Sequence, residues 1–298
     1  MKQGKEVENP ESRFFTVLRA AAKLPGVRIH REAYLRSALA RHCSEDDIRR
    51  AIEETPAAVG ISADVLDKLA NDSIRFETGK VSALSAAAGI PGILALPATV
   101  PADLAQYVGH MLRIAQKLAY LYSWPDLFSD EGDDVDDATM GVLTLFFGVM
   151  FGTQSANAAV GKVAGMMSKE VAKKLPQKAL TQGVVYPMVK KIAAYLGVQM
   201  TKQSFAKTVS KAIPLVGAAV SGGLTFATYL PMAKRLKRHL AGLPLAEPSY
   251  RVTDDGDIVD GEVVDGEVVE DGQSFAAMAH TDDHGAATAV AKVEEPRS

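Results

Sequence analysis

The chain has one cysteine, Cys43, in 298 residues. A disulfide framework within the chain is therefore excluded, and a reducing compartment is the expected setting. The first fifteen residues, MKQGKEVENPESRFF, are charged and contain no apolar core of a secretory signal, so export by the standard route is not expected. Several chemical signatures are also missing. No phosphate-binding loop, dinucleotide fingerprint, HExxH or GxSxG occurs, which counts against an enzyme without excluding one. Aromatic residues make up only 6% of the chain. Alanine and glycine are plentiful, and small residues favour closely packed helices.

What is present is ordinary globular composition with an uneven charge. Hydrophobic residues are 47% and charged residues 23%, enough for a sizeable core. The net charge of −3 hides an asymmetry. Residues 252–298 carry thirteen acids against Lys292 and Arg297, a net −11, which leaves +8 on the remainder. The body is basic and the tail acidic. Within the tail, DGEVV occurs twice in succession, at 260–264 and 265–269. Low complexity and high charge predict disorder over 246–298, as they do over 1–11. The acidic tail suits a basic partner. The calcium-loop pattern is absent from it.

Residues 12–60 read as a small N-terminal helical region. Ser12 is placed to cap the first helix. Ser44, with Asp47 three residues on, forms a capping box for a helix that ends before Pro56. Three short helices of this kind resemble a DNA-binding arrangement, but none clusters the basic and amide side chains of a recognition helix. A helical cap on the main body is the expectation, and no nucleic acid is expected as a partner.

Residues 61–245 form the main body. Ser62 can cap a long helix that runs into three uncharged stretches, 81–102, 138–161 and 212–233. Each approaches the ~20 apolar residues needed to cross a bilayer. The first is broken by Pro91, Pro97 and Pro101. The second has a strongly apolar part of thirteen residues, 140–152, before it turns polar. The third is rich in small residues spaced four apart, a pattern that lets helix backbones approach closely. Buried helices of an all-α, compact multi-helix bundle are favoured over membrane insertion.

Two clusters carry potential chemistry. On a helix over 103–122, Asp103, Gln106, His110, Arg113 and Lys117 step by three, four, three and four, so they share one face. Asp103 and His110 are ~10 Å apart along the axis, too far to act together without a neighbour. Glu77 and Lys80 lie before the proline-rich connection and can fold back to supply one. This polar stripe suits either a small-molecule pocket or a polar seam between helices. The second cluster is Lys234, Arg235, Lys237 and Arg238, which ends the third uncharged stretch. These cations suit the helix dipole or anionic lipid headgroups. The acids at 130–137 are expected to start a helix, with Asp137 as its cap. Cys43 has no catalytic partner in prospect. No catalytic residue, metal or cofactor is assigned.

The proline-punctuated GIPGILALPATVPADLAQYVGHMLRIAQKLAYLYSW and the later KAIPLVGAAVSGGLTFATYLPMAKRLKRHL resemble the EcsC protein family. LPGVRIHREAYL and LDKLANDSIRFETGKVSALS resemble a related bacterial subset. The resemblance covers about residues 15 to 242. It implies a mostly helical bacterial protein, linked to the membrane and to a transporter or secretion complex, with no established reaction and no catalytic residues to carry over. The combined expectation is a non-enzymatic protein on the cytoplasmic face of the cell membrane. Its partners are then an anionic membrane surface or a membrane complex.

Overall fold

The structure is a computed structural model. It describes residues 9–86, 102–128, 134–169, 174–210 and 217–247, with side chains described for all of these except 81–86, 102–103, 169, 201–210 and 217–228. The expected N-terminal and C-terminal disorder falls outside the described residues, apart from the short stretches at 9–11 and 246–247.

Among the described residues the chain is all helical. The elements are α1 (Pro10–Ala22), α2 (Arg31–Leu39), α3 (Glu45–Glu53), α4 (Ala63–Ala86), α5 (Ala102–Leu121), α6 (Asp137–Met150), α7 (Gln154–Lys169), α8 (Gln177–Thr181), α9 (Tyr186–Ser210) and α10 (Gly217–Ala241). A short 3₁₀ turn over Pro244–Ala246 follows α10. All the described residues belong to one unit.

Local chemistry accounts for most helix ends. Ser44 caps α3, accepting a hydrogen bond from the Asp47 amide at 3.1 Å, as the capping box requires. The Ser62 hydroxyl accepts from the Val65 amide at the start of α4. Two caps differ from expectation by one turn or less. α1 begins two residues before Ser12: Asn9 accepts from the Glu11 amide and Pro10 occupies the first helical position, where its missing N–H costs nothing. At α6 the cap is Asp136 rather than Asp137. Its carboxylate accepts from the amides of Ala138 and Thr139 at 2.9 and 3.0 Å.

α6 is the centre of the bundle. It packs against α7, α8, α9 and α10, and every residue from 138 to 150 is buried. The uncharged stretch over 138–161 is therefore not one helix. It breaks after Met150, where Gly152 takes a left-handed φ of 83°. The Gly152 amide donates to the Val149 carbonyl, and the Thr153 amide donates to Gly148. This is a Schellman stop, and it needs a residue without Cβ strain at that position. α7 then turns back along α6.

The other pairs wrap this centre. α4 packs along α10 and along α5, while α1 packs between α9 and α5. The N-terminal region is thus built into the body through α1, rather than lying only over it. α5 presents Leu104, Val108, Met111, Leu112, Ala115, Leu118 and Ala119 to the core, all buried, as the apolar side of the polar stripe requires. Trp124 stacks edge-on against Phe146, with ring centroids 4.8 Å apart. Among the described residues no helix is long and apolar enough to cross a membrane. Most of the stretch at 81–102, and the side chains of the small-residue pattern at 217–223, lie outside what is described.

Close packing around α6 gives a direct test. A Cβ at Gly148 would sit 2.6 Å from the Ala156 Cβ and 2.8 Å from the Ile192 methyl. Gly148→Ala is expected to lower unfolding stability by about 1–3 kcal/mol through overpacking. Gly161→Ala on α7, where a Cβ meets nothing within 4 Å, is expected to raise it by up to about 1 kcal/mol. Urea denaturation of the two variants measures both, and equal effects would refute the close α6–α7–α9 contact.

Candidate functional site

The polar stripe of α5 meets Glu77 of α4. α4 and α5 are antiparallel: the Ser123 hydroxyl, just past α5, accepts from the Ala57 amide just before α4, while Glu77 pairs with the middle of α5. One Glu77 carboxylate oxygen accepts from Arg113 Nη2 at 2.9 Å and from Lys117 Nζ at 2.6 Å. The other accepts from Arg113 Nε at 2.9 Å. The second terminal nitrogen of Arg113 donates to the Gly26 carbonyl. Glu77 has no exposed surface, and Lys117 is nearly as buried. The triad carries one negative and two positive charges. The surplus lies against aromatic faces, with Lys117 5.1 Å from the Phe76 ring and 5.5 Å from Tyr34.

Burial by itself would push the Glu77 carboxyl up. The hydrogen bonds and charges of Arg113 and Lys117 outweigh it and hold the group below the ordinary carboxylate value. A carboxylate so held is a poor proton acceptor at neutral pH. Both cations facing it are occupied, so the arrangement acts as a clamp between two helices.

The remaining stripe residues divide. His110 stays outside the pairing. Burial lowers its pKa against the opposing charge of Glu77, so the ring is neutral at neutral pH, and its Nδ1 is buried without a partner. Gln106 is half-buried. Asp103 lies on α5, and its side chain is outside the description. Lys80 stacks on Phe76 at 4.4 Å. Gln116, which the spacing did not single out, is fully buried and bridges two segments. It accepts from the Ile29 amide at 2.7 Å and donates to the Val27 and Leu112 carbonyls. Its neighbours in sequence are part of the stripe, but nothing in a single sequence marks a buried glutamine.

The basic cluster of α10 is split by helical geometry. Lys237 faces α4, where it pairs with Asp67 and donates to Asn71 at 3.0 Å. It is not free for a headgroup, because its side chain is 12% exposed and matched by an acid. Lys234, Arg235 and Arg238 are exposed and have no carboxylate partner among the described residues. Arg235 donates to the Met150 carbonyl at the end of α6, and Arg238 donates to Lys234 one turn back. Arg235, Arg238 and His239 share one face and line a solvent-open cavity of about 300 Å³ with Val149, Gly152 and Asn157. The guanidinium of Arg235 lies beside Gly152, 3.6 Å from where a Cβ would stand, an ordinary contact distance.

Elsewhere, burial and the Asp47 charge push the Cys43 thiol up, the opposite of what a nucleophile needs. Among the described residues no group of three or more His, Cys, Asp or Glu is placed to hold a metal ion. No family model, curated protein or solved structure matches the chain.

The clamp predicts a pH response. Glu77 has a depressed pKa in the folded state, so its contribution is complete above the unfolded value of about 4.3 and is lost as pH falls through the folded value. His110 and His239 are also depressed, so their loss begins earlier, below about 6.5. Stability is therefore expected to fall in two stages on acidification. Glu77→Gln should cost about 3–5 kcal/mol at pH 7 by leaving two buried cations unmatched, and it should shrink the lower stage, the remainder of which comes from the Asp136 cap of α6, also held below its ordinary value. Urea midpoints across pH check this; an unchanged lower stage in the variant would contradict it.

Proposed function

We propose that the protein is a non-enzymatic helical binding protein. It acts at the cytoplasmic face of a membrane, where the C-terminal end of α10 engages anionic lipid headgroups or an acidic surface of a membrane complex. One observation carries this reading: Lys234, Arg235 and Arg238 stand exposed without a carboxylate partner among the described residues, while Lys237 beside them is matched by Asp67. Unmatched surface cations on a body of net charge +8 favour an anionic partner. The likeness of the sequence blocks to the EcsC family supports the same setting.

Three such cations, at about 1 kcal/mol each near an anionic surface, give weak and salt-dependent association rather than anchoring. The alternative, a small-molecule protein or enzyme with its pocket on the Asp103–Lys117 face, has less to draw on. Arg113 and Lys117 are already bound to Glu77.

Vesicle flotation tests the proposal. The protein is expected to float with phosphatidylglycerol-containing vesicles at low salt, and to remain behind with neutral phosphatidylcholine vesicles or at high salt. The double variant Lys234→Ala/Arg238→Ala should bind about 30-fold more weakly, the equivalent of two lost cations. Equal binding to neutral vesicles, or none to anionic ones, would sink the reading.

A further inference from the structure

We infer that the cavity at the junction of α6, α7 and α10 is a binding site for a phosphate monoester group, with the Arg235 and Arg238 guanidiniums as its principal donors. The inference rests on the reading of the α10 end as an anion-binding surface, and adds to it the chemical class of the ligand.

The lining decides the class of occupant. At about 300 Å³ the cavity is at the small end of ligand sites, and among the described residues Val149 is the one apolar side chain that lines it. That leaves an acyl chain little to pack against, while two guanidiniums suit a polar anion. The two arginines each give one donor to a backbone carbonyl and keep the rest of the guanidinium fork for a ligand. Forks of this geometry match carboxylate or phosphate oxygens bidentately.

Three further groups favour phosphate. Asn157 lines the same cavity from the first turns of α7, and the amino-terminal end of that sixteen-residue helix adds positive potential. His239 lines it from α10, and its Nε2 is buried without a partner. Burial holds the ring below its ordinary value, while the backbone of Asn157 engages it and favours its protonated form. A carboxylate has two oxygens, which the arginine pair already satisfies. A further donor from Asn157, with the His239 ring alongside, suits a group with three terminal oxygens and two charges. Such a dianion also favours the protonated form of His239. Among the described residues no acid lines the cavity to oppose it: α6 contributes Val149, the turn Gly152 and α7 Asn157, none of them titratable.

The test uses the full chain and inorganic phosphate. Isothermal titration should show saturable binding of phosphate that chloride at matched ionic strength does not reproduce, with movement of the His239 imidazole proton signals. Arg238→Ala should weaken binding about tenfold or more, and Arg238→Lys should recover only part of it, because the charge returns without the fork. Arg238 is exposed, so circular dichroism should show both variants folded.

A second arm compares vesicles carrying phosphatidic acid with vesicles of equal surface charge carrying phosphatidylglycerol. Phosphate binding with preference for phosphatidic acid supports a lipid headgroup as the source. Phosphate binding without attachment to either vesicle supports a free phosphorylated molecule, and overturns the membrane reading while this inference stands. No phosphate binding beyond the chloride control, or an unaffected Arg238→Ala, overturns the inference. Attachment to phosphatidylglycerol vesicles in that case would leave the membrane reading intact.

Discussion

A fully buried carboxylate is the constraint around which this half of the bundle is organised. Removing an ion such as Glu77 from water costs several kcal/mol unless close, well-aligned partners replace the lost hydration. Arg113 and Lys117 do so from one face of α5, at 2.6 to 2.9 Å. Because three of their hydrogen bonds converge on two oxygens, the antiparallel α4–α5 pair has one register. Arg113 extends the constraint to the α1–α2 connection through the Gly26 carbonyl. Gln116, one residue before Lys117, holds the same connection through Val27 and Ile29. The polar stripe of α5 thus performs a tertiary role: it places the α1–α2 segment against the body.

The opposite side of the molecule is held by shape rather than charge. α6 is buried throughout and is reached closely by α7 and α9 at Gly148. Tight packing of this kind needs the stop at Gly152, since the chain must leave α6 and return along it within a few residues. The same turn exposes the Met150 carbonyl to Arg235 and creates the wall on which the α10 cavity is built. The packing of the core and the form of the candidate site therefore have a common origin at residues 148–153.

Charge is treated differently in the two places. Inside, each cation of the stripe that reaches Glu77 is neutralised or laid on an aromatic ring. Outside, three cations at the end of α10 have no carboxylate partner among the described residues, while the fourth is absorbed by Asp67. An interior cannot tolerate unpaired charge, whereas a surface can keep it available. That contrast separates a clamp from a candidate binding site more clearly than composition does, because both clusters contain lysine and arginine.

The sequence by itself determined the helical class, the buried and polar sides of α5, and the caps at Ser44 and Ser62, because these depend on periodicities and contacts within a few residues. It also indicated that the α5 stripe needed a partner from the segment carrying Glu77. Only the tertiary structure decided what the stripe does, since one helix cannot reveal whether its polar face meets solvent or a buried carboxylate. The break of the long uncharged stretch at Gly152 turned on a left-handed backbone position, which a glycine permits without requiring. The division of the α10 cluster depended on the turn of about 100° between successive helical residues and on which neighbours, Asp67 or the end of α6, lay across from each cation. His239 and Asn157 are far apart in sequence, and they line one cavity because α7 turns back along α6, against which α10 also packs.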